Sequence, residues 1–185
     1  MYLTIYHENF RVTHRTIQTH EGTSGRGSNE IASCVLKLFL GDVTEKKKLT
    51  LWSDNCCGQN KNRMIILLWI YRVVKGIFDS VEHKFLVSGH YFLSCDRDFA
   101  QIEKRKKVCK CMAPKDLVKM IANVRNVQPF VLTMMQKENF LDFKEASNVY
   151  LNTQKLNISK PQWIIIDQKY PGKVRIREIL NKMEE

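Results

Sequence analysis

No stretch of the chain carries an uninterrupted apolar run near the ~20 residues of a membrane-spanning helix, which sets aside a membrane-embedded protein. The start also lacks a secretory signal. Met1 is followed by Tyr2-Leu3-Thr4-Ile5-Tyr6, a strand-like run with no charged segment ahead of it. The double CxxC pattern of a structural zinc site is missing. The six cysteines (Cys34, Cys56, Cys57, Cys95, Cys109 and Cys111) supply one vicinal pair and one CxC pair. They are read as reduced, structural thiols first and metal ligands second, in an intracellular compartment. There is no internal repeat and no low-complexity linker. Carboxylates are scarce at the front: the first Asp is Asp42, and only Glu8, Glu21 and Glu30 come sooner.

What is present is ordinary globular composition, 44% hydrophobic and 26% charged, in 185 residues. That length suits one domain with a real core. Lys and Arg outnumber Asp and Glu by 30 to 19, a net charge of +11. A fold does not need that surplus. It favours a polyanionic partner or an anionic membrane surface.

Residues 2–7 and 11–19 are rich in β-branched and aromatic types and read as two strands around a turn near Glu8-Asn9. Their short connection makes them an antiparallel pair. The glycines of 21–27 mark a loop, after which Ser28 is placed to cap a helix. Ile31, Cys34, Val35, Leu38 and Phe39 give that helix one buried face. Leu49 to Ser53 is a short strand that delivers Asp54 at its end. A polar loop to Asn62 leads into a helix apolar nearly all round, expected to be deeply buried and stopped by Gly76. Lys84 to Val87 is the next strand, closed by Ser88-Gly89-His90. A helix follows from Asp96 to about Lys107, and Pro114 opens another with Leu117, Met120, Ile121 and Val124 on one face. Phe130 to Met134 reads as a strand and Ala146 to Leu151 as a short helix or turn. Trp163 to Ile166 and Val174 to Ile176 form a hairpin around Tyr170-Pro171-Gly172. Interleaved strands and helices predict an α/β or α+β mixed sheet. Antiparallel opening strands followed by strand–helix–strand units are what a ribonuclease H-like fold shows, though other mixed-sheet folds share the pattern.

Two stretches carry candidate chemistry. In Ser53-Asp54-Asn55-Cys56-Cys57-Gly58-Gln59-Asn60-Lys61-Asn62 an apolar strand runs into a carboxylate, where open sheets place their ligands. Asp54 either serves a site there or caps a turn. The second stretch, Gly89 to Lys104, also follows a strand. Asp96 and Glu103 lie seven apart on one helix face, and Asp98 points roughly the other way. Asp54, Asp96 and Glu103 are candidate ligands for Mg²⁺ or Mn²⁺, hard cations that take oxygen donors. Two such ions would activate water at a phosphodiester. Helix-dipole complementarity accounts equally for Asp96 and Asp98, and an ion pair with Lys106 or Lys107 accounts for Glu103. His90 either assists at the phosphate or is held in a turn. Lys104, Arg105, Lys106 and Lys107 form a basic patch that either contacts phosphate or ends a helix in solvent. Lys61, Arg63 and Arg97 are further candidate nucleic-acid contacts.

These stretches together resemble a specific family. Gly25-Arg26-Gly27-Ser28-x-Glu30, then Ser53-Asp54-x-Cys56-x-Gly58-Gln59-Asn60-Lys61-Asn62, then Gly89-His90-x-Phe92-Leu93-x-x-Asp96-Arg97-x-Phe99-x-x-Ile102-Glu103-Lys104 are similar to a domain found in transposable-element-derived proteins of animal genomes. The resemblance runs from about Leu3 to the final hairpin. It implies a ribonuclease H-like fold related to transposases and integrases, with Asp54, Asp96 and Glu103 at acidic positions. It also implies a nucleic-acid partner (DNA first), Mg²⁺ or Mn²⁺ as cofactor, no membrane, and a nuclear location. Two departures are expected. Relatives carry an earlier strand ending in Asp, so the chain reads as truncated at its N-terminus. Cys57 also stands where Gly or Ala is usual. Three functions follow: metal-dependent phosphodiester cleavage or strand transfer, a catalytically silent copy that binds nucleic acid, or a protein-interaction domain.

Overall fold

The computed structural model describes residues 15–18, 25, 27–40, 48–86, 94–127, 129–152 and 157–178. In chain order its elements are β1 (Arg15–Gln18), α1 (Ser28–Leu40), β2 (Lys48–Ser53), α2 (Arg63–Val74), β3 (Ser80–Phe85), α3 (Ser94–Lys106), α4 (Pro114–Ala122) and β4 (Val131–Met134). A 3₁₀ turn (Lys137–Asn139), α5 (Phe143–Tyr150), β5 (Trp163–Asp167) and β6 (Val174–Arg177) complete the set. No helix among them is long and apolar enough to cross a membrane.

The architecture is α/β. A mixed four-stranded sheet runs in the order β2-β3-β5-β6. β2 and β3 are parallel, a pairing that needs the crossover α2 supplies, and β3-β5 and β5-β6 are antiparallel. The side-chain period of two gives this sheet two unlike faces. Leu49, Leu51, Val81, Phe85, Ile164 and Ile166 point inward. They meet Ile31 and Val35 of α1 and Ile65, Leu68, Trp69 and Val73 of α2 in the main core. Each such side chain, fully buried, contributes roughly 1.5–3 kcal/mol. Phe39 of α1 packs edge-on against Trp69 and Phe78, with ring centroids 5.8 and 5.9 Å away. α5 lies against α1 and α2 on the same side.

A second, smaller core holds α3 and α4 together with β4, through Ile102, Met120, Ile121 and Phe130. β4 pairs in parallel with β1, from Arg15↔Val131 to Gln18↔Met134. The two cores meet through α1. Its Cys34 and Leu38 bury against Met135, and Ser33 Oγ accepts from the Leu141 N–H at 3.0 Å.

Local chemistry sets the helix ends. Glu30 accepts from the Gly27 N–H at 3.0 Å, so Glu30 supplies the cap expected of Ser28, whose hydroxyl instead donates to the Gly58 carbonyl. Asn62 caps α2 by accepting from the Met64 and Ile65 N–H groups at 3.0 and 3.2 Å. Gly76, at φ +69°, ends it: the Ile77 N–H reaches back to the Arg72 carbonyl and the Gly76 N–H to that of Val73. Pro114 opens α4 as expected, and Asp116 accepts from the Ala113 N–H at 2.9 Å.

The structure corrects several boundaries. β3 begins at Ser80, four residues before the expected strand. Ser80, Glu82 and Lys84 occupy its outer face and broke the apolar pattern. α2 is less enclosed than expected, because Tyr71 and Val74 are exposed. α5 begins at Phe143, not Ala146, with Asp142 accepting from the Glu145 N–H. Residues 2–7 lie outside the described residues. The described part of the second opening strand runs parallel to β4.

Candidate functional site

β2 ends at Ser53, and Asp54 begins the loop at the carboxyl end of the strand. That loop is held by a set of internal hydrogen bonds. Asp54 Oδ1 accepts from the Cys56 N–H at 3.2 Å and from Asn60 Nδ2 at 2.7 Å. The Cys56 carbonyl accepts from the N–H groups of Gln59, Asn60 and Lys61 at 2.8–3.1 Å. Asn62 Nδ2 donates to the Gln59 carbonyl at 2.8 Å. Asp54 is exposed, and no described residue donates to its Oδ2.

Lys61 corrects the sequence reading. It is 2% exposed, not spread in solvent for a phosphate. Its ammonium donates to Asn55 Oδ1 at 2.8 Å and to the Ser159 carbonyl at 2.7 Å, and lies 5.2 Å from the centre of the Phe85 ring. Burial pulls its pKa below the ordinary lysine value. Lys61 clamps the loop onto the segment before β5. Arg63 is the first residue of α2 and half-buried.

Beneath the loop lies a histidine that the sequence reading missed. His83 is on the inward face of β3, between Val81 and Phe85, and is 5% exposed. Trp69 Nε1 has only a proton to give, so His83 Nδ1 accepts it, at 3.3 Å. His83 Nε2 then carries the proton and donates to Ser53 Oγ at 2.9 Å. The Ser53 hydroxyl passes its own to the Asp54 carbonyl at 3.1 Å. In this tautomer His83 cannot draw a proton from Ser53, which removes a serine–histidine nucleophile from consideration. Full burial pushes the His83 pKa down to about 3. The signal in the sequence was the alternation Val81-x-His83-x-Phe85, which turns the imidazole inward.

On α3 the carboxylates part company. Asp98 and Ile102, one turn apart, face the second core. Asp98 is 3% exposed and ion-paired with Arg125. Arg125 Nε also donates to Gln101 Oε1 at 2.7 Å, and its guanidinium sits 4.6 Å from the Phe130 ring centre. Asp96 and Glu103 are exposed, and Glu103 lies 3.8 Å from Lys106, the intrahelical pair foreseen as its alternative role. Arg97, Lys104, Arg105, Lys106 and Lys107 are all exposed. His90 lies outside the described residues.

Among the described residues no group of three or more His, Cys, Asp or Glu side chains converges to hold a metal ion. Asp54 stands at the end of β2, and Asp96 and Glu103 stand on α3.

These features define an α/β domain with a bonded loop after one strand and a basic helix end on a separate core. The chain belongs to a family known as a domain of unknown function (DUF7869), whose model matches residues 6–179. No curated protein and no solved structure matches it.

Proposed function

We propose that this chain is a nucleic-acid-binding domain of the ribonuclease H-like, transposase-related kind, acting on DNA in the nucleus. One observation carries the reading. The last turn of α3 and the residue beyond it present four consecutive cations, Lys104 to Lys107, all exposed, with Arg97 exposed nearer the start of the helix. Only Lys106 faces a described carboxylate, at 3.8 Å. The helix dipole accounts for one or two basic residues at that end, and the run exceeds it. Such a patch binds phosphates by releasing their counterions, a sequence-independent contact. The net charge of +11 acts in the same direction over the whole molecule. The resemblance to transposable-element-derived domains supports the choice of nucleic acid over other polyanions.

Electrophoretic mobility shift at low and moderate salt tests this. The chain retards a DNA duplex, and Lys104→Glu/Arg105→Glu weakens retardation while the fold, followed by circular dichroism, is kept. Retardation unchanged by the double variant overturns the reading.

Metal-dependent cleavage or strand transfer is the second reading. It is favoured by Asp54, exposed at the carboxyl end of β2 with Oδ2 open. Under it, Mg²⁺ or Mn²⁺ raises the melting temperature and Asp54→Asn removes the rise. A flat response in the unmodified chain ends it.

A further inference from the structure

The outer face of the four-stranded sheet carries a row that the reading above does not use. Trp52 of β2 pairs with Lys84 of β3, Lys84 with Trp163 of β5, and Trp163 with Arg177 of β6. The row crosses all four strands at one level, alternating ring and cation. Lys84 Nζ lies 5.0 Å from the Trp52 ring centre and 4.7 Å from that of Trp163, and the Arg177 guanidinium lies 4.5 Å from Trp163. Among the described residues, α1, α2 and α5 pack together on the inner side of the sheet.

Beside this row is an open cleft of about 570 Å³. Ile165 and Trp163 contribute its apolar wall. Arg175, Arg177, Lys48 and Lys169 stand around it. Three carboxylates, Asp79, Glu82 and Asp167, are also in the lining; Glu82 faces Lys84 at 3.9 Å and Asp167 faces Arg175 at 3.3 Å. No described carboxylate pairs with Arg177 or Lys169. Trp163 Nε1 is a buried donor with no acceptor among the described residues.

We infer that this face binds an unpaired stretch of nucleic acid. Phosphates lie on Arg175, Arg177 and Lys169, and a base sits in the cleft against Ile165 and the Arg177 guanidinium. The volume falls within the ~300–1,000 Å³ of small-ligand pockets, so a single unstacked base fits. Arginine guanidinium planes stack on bases that are free of a partner strand. The ring–cation row fixes Arg177 before the ligand arrives, which lowers the ordering cost of binding. The inference rests on the nucleic-acid reading and adds to it a second surface with a different strand preference.

Fluorescence anisotropy of the full chain with a labelled oligothymidylate and a labelled duplex tests it. Arg175→Glu/Arg177→Glu, at two exposed positions, weakens oligothymidylate binding and leaves the duplex signal nearly unchanged. Arg177→Ala, which keeps the Arg175–Asp167 pair, gives the same loss in smaller measure. Each cation removed lowers the single-strand salt slope by about 0.7. Unchanged oligothymidylate binding in both variants overturns the inference, and duplex binding lost with Lys104→Glu/Arg105→Glu still upholds the broader reading. No binding of either probe by the unmodified chain overturns both. A concentration-dependent dimer in sedimentation that Arg177→Ala abolishes assigns the face to a second copy, and also overturns the inference.

Discussion

The loop after β2 and the end of α3 are equally polar in sequence, yet they do opposite things with their polar groups. In the loop, Asp54 Oδ1, Asn60 Nδ2, the Lys61 ammonium and the Asn62 amide are engaged by loop side chains and backbone, and Asp54 keeps one oxygen to which no described residue donates. At the end of α3, four successive cations share one weak pair among the described residues. A polar stretch thus acquires its role from how many of its groups the fold already satisfies. Satisfied groups hold architecture, and unsatisfied exposed charge is left for a partner.

The sharpest way to break that contrast is on the buried side of α3. Arg125→Met removes the charged partner of Asp98 inside the second core. Breaking a buried pair from one side costs about 3–5 kcal/mol, so urea denaturation should show a loss of that order. A loss below about 1 kcal/mol, the range of surface pairs, would place Asp98 with the solvent-facing charges. Next in size is Lys61→Met, which strips two charge-assisted bonds and orphans Asn55 Oδ1 and the Ser159 carbonyl. About 2–3 kcal/mol should go, with DNA affinity at low salt nearly unchanged. A large affinity loss with little change in stability would return Lys61 to the phosphate contacts.

Acid sharpens the comparison further. His83 is neutral when folded, its pKa lowered to about 3, while the unfolded chain titrates near 6.5. Between those values the unfolded state binds the extra proton. Stability therefore rises with pH across that window and falls on acidification, by up to about 1.4 kcal/mol per pH unit from this group. Urea midpoints from pH 7 to pH 4 read the slope, and His83→Gln should flatten it. The smallest effect is expected at Asp54→Asn. The amide oxygen still accepts from Cys56 and Asn60, so the melting temperature in chelator should move little.

Much of this fold was legible along the chain. The hairpin of β5 and β6 announced itself by two apolar runs around Pro171-Gly172, and α4 by Pro114 and its 3–4 spacing. β3 was half hidden, because an edge of Ser, Glu and Lys on one face made its first residues look like loop. The candidate site was less legible, since a residue's polar partners lie far along the chain. Asp98 meets Arg125 across 27 residues and Lys61 meets Ser159 across 98. Periodicity states which side a residue faces. It does not state what waits there.

The basic end of α3 is most directly tested by the salt dependence of duplex affinity, measured by anisotropy for the unmodified chain and for Lys104→Glu/Arg105→Glu. Phosphate contact by these residues requires a steep fall of log affinity with log salt in the first. It also requires a slope shallower by about 2 in the second, near 0.9 for each contact removed. Parallel lines for the two proteins would show that the helix end merely faces water.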